Sequence, residues 1–221
     1  MTSREAGQDR SGWRRLLDLP LLYRGAQGIL GSAASKRRLV RDDLRPFPGM
    51  RLLDIGCGPA ALLDALPRGV NYVGVDLSAA YVDAARRRYG DRGTFLCRPV
   101  SQLDGDCLQE RDLILALGLL HHLDDRDAAR LFARARSLLA PGGRMVTVDP
   151  CRLPRQRRVA RLLLACDRGR CIRTPEAYRS LAVASFSAVE VRVDGDRLAL
   201  GGRWPIPYDH CVMSCQRDAA W

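Results

Sequence analysis

The sequence contains almost no lysine and few aromatic residues. Lys36 is the single lysine among 36 basic residues in a chain of 221, so arginine carries nearly all of the charge behind the formal net charge of +11. The codon bias of a GC-rich genome is enough to produce such an excess of arginine. Aromatic residues make up 6% of the chain and are not interleaved with the arginine clusters, so no surface for stacking nucleic-acid bases is indicated. We therefore interpret the basic clusters as solvated helix faces and do not expect a nucleic-acid partner.

Long apolar segments are also missing. No run of 18 apolar residues is present, and residues 1–15 lack the apolar core of a signal peptide, so we expect a cytoplasmic protein with no membrane span. The eight cysteines include no Cys-x-x-Cys pair, which favours reduced thiols in the core over a metal site. The length suits a single domain over residues 1–221.

A glycine-rich turn follows the first apolar strand. Residues 52–60 form a pattern of buried strand, carboxylate (Asp54) and two glycines, Gly56 and Gly58, which let the backbone turn sharply and approach a ligand. A helix is expected to follow, with its N–H groups facing that ligand. Twenty residues after Gly56, a second strand ends at Asp76, which is placed to bind both hydroxyls of a ribose. The pattern predicts a nucleotide-binding crevice.

Proteins that bind NAD or FAD share this kind of turn, but Asp54 favours a ligand with a cationic end, since it would repel a pyrophosphate. The two motifs resemble those of the class I S-adenosylmethionine-dependent methyltransferases, whose first motif is acid-x-Gly-x-Gly-x-Gly. The resemblance continues in residues 112–123, the fourth strand and its loop in that family, and in residues 138–146, the turn into the fifth strand. Ala60 replaces the third glycine, a departure that we expect only to tighten the packing of helix on strand. The resemblance implies S-adenosylmethionine as the cofactor.

Apolar strands alternate with amphipathic helices after residue 50, which predicts a parallel sheet covered on both faces. With the resemblance, the expected fold is α/β: a doubly wound, mostly parallel seven-stranded Rossmann-like sheet whose antiparallel last strand inserts between its neighbours. We expect strands at 51–56, 71–76, 94–98, 111–117, 143–149, 189–193 and 211–216, and helices at 16–23, 25–44, 59–66, 78–89, 126–139, 155–166 and 175–184. The domain would divide into an N-terminal helical cap (1–49), a cofactor-binding core (50–149), a helical insertion (150–173), and a C-terminal helix with a β-hairpin (174–221).

The resemblance also assigns cofactor contacts, which should meet at the carboxyl ends of the strands. It implies that Gly56 and Gly58 face the methionine part, Asp76 and Leu77 the ribose, Val100 and Ser101 the adenine, and that Ala116 and Leu117 pass under the methionine backbone. Asp54 and Cys57 belong to the same cofactor-binding set. The family often has an acid after the third strand for the adenine amino group. Here residues 98–101 offer none, so Ser101 or a backbone carbonyl must take its place.

Two adjacent histidines follow the fourth strand, where the transferred methyl group should lie. A hydroxyl acceptor must lose a proton, and an imidazole is suited to remove it near neutral pH. His121 or His122 is therefore a candidate base, and Asp149 at the end of the fifth strand is placed to orient an imidazole. The alternative is that a histidine of this pair only hydrogen-bonds the loop, since such a pair is frequent in the family whatever the acceptor.

Three further residues lie on segments expected to close over the acceptor pocket: Tyr23, Tyr208 and His210. Each is a candidate for substrate binding, and each is equally interpretable as a packed core residue. The basic side of the helix at 155–166 can guide an anionic acceptor or an acidic carrier protein, although a solvated charged face explains it more simply.

The function predicted from these features is methyl transfer to oxygen or nitrogen of a small-molecule acceptor of specialised metabolism, by in-line displacement. The alternatives are an RNA or protein methyltransferase, or a protein that uses S-adenosylmethionine for cyclisation, rearrangement or regulation. Base modification is disfavoured because the fourth strand ends in Ala116-Leu117-Gly118-Leu119 rather than in the Asn/Asp-Pro-Pro-aromatic motif of many adenine methylases. We expect a monomer or a homodimer and no metal.

Overall fold

A seven-stranded sheet organises the chain in the computed structural model, which describes residues 33–103, 110–166, 169–195, 198–200, 204–206 and 209–219. The strand order is β3-β2-β1-β4-β5-β9-β6, and β9 runs antiparallel to both of its neighbours. This confirms the predicted fold class and the insertion of the last strand. The strands are β1 (Arg51–Ile55), β2 (Asn71–Asp76), β3 (Gly93–Cys97), β4 (Arg111–Leu117), β5 (Leu139–Pro150), β6 (Ala188–Asp194), β7 (Leu198–Leu200), β8 (Trp204–Ile206) and β9 (His210–Gln216), of which β7 and β8 form a separate hairpin.

Five α-helices are described: α1 (Ala33–Leu39), α2 (Ala79–Tyr89), α3 (Asp125–Leu138), α4 (Arg158–Cys166) and α5 (Pro175–Val183). Alternate residues of the strands enter two separate cores, because successive side chains of a strand point to opposite faces. Leu53 belongs to the core that contains Phe132 of α3 and Tyr178 of α5. Leu52 belongs to the core that contains residues of α1 and α2. Helices therefore cover both faces of the sheet, as predicted. Within the described ranges, none of the helices is long and apolar enough to cross a bilayer.

Helix α1 lies along the sheet near β5 and β6. It continues into a π-helical turn, Val40–Leu44, closed by the Arg45 N–H donating to the Val40 carbonyl at 2.8 Å. Near the amino end of β5, Arg144 donates to the carbonyl of Leu44 at 2.6 Å. Arg38 pairs with Asp194, the last residue of β6, at 3.5 Å. The start of α1 therefore points toward the carboxyl ends of the strands. The predicted helix at 16–23, and the part of the helix at 25–44 before residue 33, lie outside the described residues.

The helix expected at 59–66 is wrong. Ala60 has φ +56°, in the left-handed region, and only a 3-10 turn, Ala61–Asp64, follows it. An α-helix does not start at a residue in the left-handed conformation. This conformation costs a residue that has a Cβ about 1 kcal/mol. The prediction that alanine here only tightens the packing is therefore wrong, because a residue with a Cβ strains the turn.

The inserted helix begins later than expected, at Arg158 rather than at residue 155. The Gln156 amide donates to the Cys151 carbonyl and to the Asp209 carboxylate, both at 3.0 Å, and these bonds hold the preceding residues in a turn. The apolar residues of this helix divide between its two sides. Val159 and Leu162 are 55% and 65% exposed, whereas Ala160 and Leu164 are buried.

Candidate active site

The predicted crevice lies between the parallel strands β1 and β4, where the strand order reverses: β2 and β3 extend the sheet on the side of β1, and β5 extends it on the side of β4. The N–H groups of Gly56 and Cys57 donate to the Val75 carbonyl at 2.8 and 3.1 Å, which fastens the turn after β1 to β2. Gly56 and Gly58 have φ values of +74° and +54°, a region that favours glycine at both positions. A Cβ at Gly58 would meet nothing within 4 Å. The glycine turn therefore opens onto space that a ligand can fill.

Asp76 closes one side of this turn. Its carboxylate accepts the Gly58 N–H at 2.9 Å and the Ser78 N–H at 2.8 Å. Burial raises the pKa of Asp76, and these N–H groups oppose that rise by stabilising the charged form. The expectation that helical N–H groups await the ligand is wrong, because no α-helix starts there and Asp76 takes the Gly58 N–H. Because the Gly58 N–H is bonded to the Asp76 carboxylate, this turn suits a ribose better than it suits a pyrophosphate.

Asp54 is buried beneath the turn. Its carboxylate accepts a hydrogen bond at 2.7 Å from the hydroxyl of Tyr72, which is also buried, on β2. Burial is the largest cause that raises the pKa of Asp54, to about 7, and the Tyr72 hydroxyl opposes it. Two carboxylates, Asp54 and Asp76, therefore line the crevice, and they fit a ligand with a ribose and a cationic group.

The remaining predicted cofactor residues surround this centre. The Cys57 thiol donates to the Gly58 carbonyl at 3.4 Å. Leu77 is half-buried beside Asp76, and Val100 and Ser101 lie in a 3-10 turn, Val100–Gln102, after β3. The side chains of Ala116 and Leu117 are buried in the two cores, so only their backbone is available to line the crevice. Their roles toward the cofactor remain predictions.

The histidine pair lies in a 3-10 turn, Leu120–His122, after β4. His121 Nδ1 lies 2.8 Å from Asp149 Oδ1, and the His121 backbone N–H donates to the same oxygen at 3.1 Å. Both side chains are 1% exposed. The His122 ring is half-buried and stacks on the His121 ring with 3.9 Å between centroids. The structure therefore brings together the three residues predicted for catalysis, and Asp149 holds His121 rather than His122.

A buried arginine fixes this turn from outside. Arg173, at the end of the insertion, donates to the carbonyls of Leu120 at 3.0 Å and Leu123 at 2.7 Å. It also pairs with Asp125 at 2.7 Å, at the start of α3. The Cys171 N–H donates to the His121 carbonyl at 3.0 Å. The end of the insertion is thus hydrogen-bonded to the backbone on both sides of the histidine pair.

Of the three predicted substrate-binding residues, His210 lies within the described ranges. His210 starts β9, opposite Pro150 of β5 and Asp194 of β6, and it is fully buried. Tyr23 and Tyr208 lie outside the described residues. Substrate binding by these three residues remains a prediction.

Comparison with known proteins agrees with this geometry. A family profile described as "Methyltransferase domain" matches residues 53–145, which contain the glycine turn, both carboxylates and the histidine pair. This part of the chain is a methyltransferase domain, and its motifs are those of the class I S-adenosylmethionine-dependent methyltransferases. S-adenosylmethionine is the cofactor of this methyltransferase domain.

Two curated relatives give the range of the similarity. The ubiquinone biosynthesis O-methyltransferase of Bradyrhizobium sp. (strain ORS 278) is 36% identical over 124 residues, 53% of this chain and 47% of the relative. The ribosomal RNA small subunit methyltransferase C of Chromohalobacter salexigens is 31% identical over 163 residues, 69% of this chain and 49% of the relative. The methyltransferase chain thus spans about half the length of the curated relatives it matches.

Solved structures show the same fold. The pyocyanin biosynthetic protein PhzM superposes with a TM-score of 0.66 at 19% identity, covering 92% of this chain and 61% of that chain. Human N-acetylserotonin methyltransferase, solved in complex with S-adenosylmethionine, superposes with a TM-score of 0.63 at 20% identity. The superposition covers 90% of this chain and 57% of that chain.

Sequence reasoning missed two residues of this methyltransferase site. By its pattern alone, Tyr72 is one residue of an apolar strand. Its position two residues before Gly74 indicates a special role for its ring, because a glycine leaves space for a neighbouring ring on the same face. Arg173 carried no signal, because the insertion contains many arginines and only the fold shows which one is buried.

Proposed function

We propose that this methyltransferase methylates a hydroxyl oxygen of a small-molecule acceptor, with His121 as the general base. The observation that carries the proposal is the 2.8 Å contact between His121 Nδ1 and Asp149 Oδ1 at the carboxyl ends of β4 and β5. A carboxylate at Nδ1 favours the tautomer with its proton on that nitrogen, which leaves a lone pair on Nε2.

The roles of the chain's own residues follow from this arrangement. S-adenosylmethionine, when bound, supplies an electrophilic methyl group on its sulfonium. His121 Nε2 accepts the proton of the acceptor hydroxyl, and Asp149 stabilises the imidazolium that results. Arg173 keeps the turn that carries His121 in place through its bonds to Leu120 and Leu123. Fixed geometry is the main contribution of the protein, because methyl transfer requires an in-line approach.

The relatives suggest the acceptor class. Several of them are named as ubiquinone biosynthesis O-methyltransferases. We therefore assign a phenolic hydroxyl to the acceptor. The N-terminal cap (1–49) and the insertion (150–173) are proposed to wall its pocket, and the direction of α1 toward the carboxyl ends of the strands supports this placement of the cap. The same proposal includes an acidic carrier protein as a candidate partner that delivers the acceptor. It also includes a monomer or a homodimer as the oligomeric state.

A panel of acceptors tests it. Catechol, 3,4-dihydroxybenzoate and tyramine are incubated with S-adenosylmethionine carrying a deuterated methyl group, and products are analysed by mass spectrometry together with S-adenosylhomocysteine formation. We expect label on phenolic oxygen and none on the amine. His121→Ala should lower kcat by roughly a hundredfold or more and leave cofactor affinity unchanged, the usual size of a general-base contribution.

The two histidine variants separate the roles of the pair. His122→Ala should retain most of the activity, because His121 is the ring whose Nδ1 lies 2.8 Å from the Asp149 carboxylate. The wild-type rate should rise over the pH range in which an imidazole loses its proton, and the His121→Ala variant should lack this rise. Full activity of His121→Ala, or loss of activity in His122→Ala alone, would show that His121 is not the base.

RNA is a second candidate acceptor, favoured by the similarity to a ribosomal RNA methyltransferase over 163 residues. Salt dependence distinguishes the two. Methylation of total RNA should fall by orders of magnitude between about 50 and 200 mM salt, because RNA binding releases counterions. Methylation of a small neutral phenol should change by less than about threefold over that range. RNA methylation with the steep salt dependence, and none of the phenols, would replace the small-molecule proposal.

A further inference from the structure

The ring of Tyr72 lies in a space that two glycines leave open. Tyr72 pairs with Leu52 of β1 on one side and with Gly93 of β3 on the other. A Cβ at Gly93 would come 2.9 Å from Tyr72 Cδ1, and a Cβ at Gly74 would come 3.0 Å from Tyr72 Cε1. Contacts as short as these would displace the ring. The two glycines therefore leave room for the phenol, and Gly74 also leaves room for the Cys57 thiol, whose sulfur would lie 2.8 Å from a Cβ there.

The phenol reaches along the strand pair to Asp54. Asp54 pairs with Gly74, two residues after Tyr72, so the Tyr72 hydroxyl approaches the carboxylate diagonally and donates to Oδ2 at 2.7 Å. Among the residues that the structure describes, this is the one hydrogen bond to the Asp54 side chain. No described residue donates a hydrogen bond to Asp54 Oδ1, and the Tyr72 bond to Oδ2 fixes the direction in which the carboxylate points.

The surroundings of Asp54 otherwise oppose its negative charge. Burial and the nearby Asp76 both raise the pKa of Asp54, and the hydroxyl of Tyr72 is the group that lowers it. The Cys57 thiol, also beside Asp54, has a raised pKa and stays neutral. Burial and Asp54 raise the pKa of Tyr72 itself, so the phenol remains a donor. Tyr72 thus supports the ionised carboxylate, which is the form that binds a cation.

We propose that Tyr72 is a positioning residue for the amino-acid end of the cofactor. Its hydroxyl holds the Asp54 carboxylate oriented and ionised, so that Asp54 binds the ammonium group of S-adenosylmethionine. The inference rests on the proposed role of Asp54 as a cofactor ligand, which resemblance to the family supplies. The part played by Tyr72 comes from this structure.

The test compares two ligands that share adenosine and sulfur. S-adenosylhomocysteine carries the amino-acid end, and methylthioadenosine lacks it. Calorimetric titration of the whole protein at pH 7 should show that Tyr72→Phe weakens S-adenosylhomocysteine about tenfold or more, the usual effect of removing a hydrogen bond to a charged group. Methylthioadenosine should bind within about twofold of wild type, because it makes no use of Asp54. The loss of affinity for S-adenosylhomocysteine in Tyr72→Phe should become smaller at pH 9, where Asp54 is ionised in the wild type and in the variant.

Tyr89→Phe is the matched control. It removes the same hydroxyl from another tyrosine–aspartate pair, Tyr89 with Asp64 at 2.7 Å, outside the crevice. It should leave the affinity for both ligands unchanged. If Tyr72→Phe weakens both ligands equally, or neither, the hydroxyl is only structural and the inference is overturned.

Asp54→Asn tells failure of this inference from failure of the assigned site. It should weaken S-adenosylhomocysteine and spare methylthioadenosine. If it does so while Tyr72→Phe has no effect, Asp54 binds the cofactor without help from Tyr72. If neither variant changes the preference, Asp54 is not the ligand and both proposals fall. Should Tyr72→Phe not fold, the wild type decides alone. Its preference for S-adenosylhomocysteine must rise between pH 5.5 and 7.5 as Asp54 ionises, and a constant preference overturns the inference.

Discussion

Replacing Asp54 by asparagine should make the cofactor-free protein more stable at neutral pH, at the expense of cofactor binding. Asparagine is nearly isosteric, and its amide oxygen can still accept from the Tyr72 hydroxyl. The change therefore removes the buried charge and little else. Such a gain is expected where a carboxylate is kept for binding rather than for stability.

The magnitude follows from the raised pKa. Burial moves the pKa of Asp54 from its usual 3.8 to about 7. Below pH 3.8 the carboxyl is protonated in the folded and the unfolded chain, and it costs no stability. As the pH rises to about 7, the unfolded chain loses this proton first, so the wild type loses stability relative to the variant. At 1.36 kcal/mol per unit, the difference reaches at most about 4 kcal/mol at pH 8 and roughly half of that near pH 5.5.

Urea unfolding followed by circular dichroism at pH 5 to 8, without cofactor, measures this difference. Asp112→Asn serves as a control of opposite sign. Its partner Arg51, 2.6 Å away, lowers the pKa of Asp112, so that carboxylate stabilises the fold at neutral pH and its contribution is lost as the pH falls. If wild type and Asp54→Asn show parallel stability curves, or if the variant is less stable at pH 8, the reasoning about the buried charge is refuted.

Two further predictions concern the strained turn and the histidine turn. Ala60→Val should lower the free energy of unfolding by at least about 2 kcal/mol, because a β-branched residue is strained at positive φ and Ala60 is buried. Ala60→Gly should stay within about 1 kcal/mol of wild type in the same denaturation assay. In that variant the relief of strain offsets the lost methyl group and the added entropy of the unfolded chain. Arg173→Lys should lower kcat about tenfold or more by releasing the turn, while the Kd for S-adenosylhomocysteine changes less than about twofold. Equal stability of the two Ala60 variants, or full activity of Arg173→Lys, would contradict these accounts.

Much of the fold follows from local patterns. Continuous apolar strands alternate with helices such as α3, and the carboxyl ends of parallel strands must meet at one edge. That geometry brings Asp54 near Asp76, and His121 near Asp149, without detailed knowledge of register. The sequence therefore predicts that these residues, which lie far apart in the chain, share one crevice.

Other features depend on tertiary geometry that local patterns do not encode. The left-handed conformation of Ala60 contradicts its local preference and is imposed by the turn. The bond from Tyr72 to Asp54 depends on the diagonal register of β1 and β2 and on glycines from two strands. The selection of Arg173 for burial depends on how the insertion returns to the sheet. The exposure of Val159 and Leu162 likewise depends on which side of α4 meets the sheet.

The most direct test of the central assignment is calorimetric titration of S-adenosylhomocysteine into the wild type and Asp76→Ala at pH 7.5, with NAD as the competing dinucleotide. We predict an affinity of about 1 μM for the wild type and a loss of roughly a hundredfold in Asp76→Ala, because the ribose hydroxyls lose a charged acceptor. NAD should give no binding heat. Unchanged affinity in Asp76→Ala, or binding of NAD as tight as that of S-adenosylhomocysteine, would contradict the assignment of this crevice.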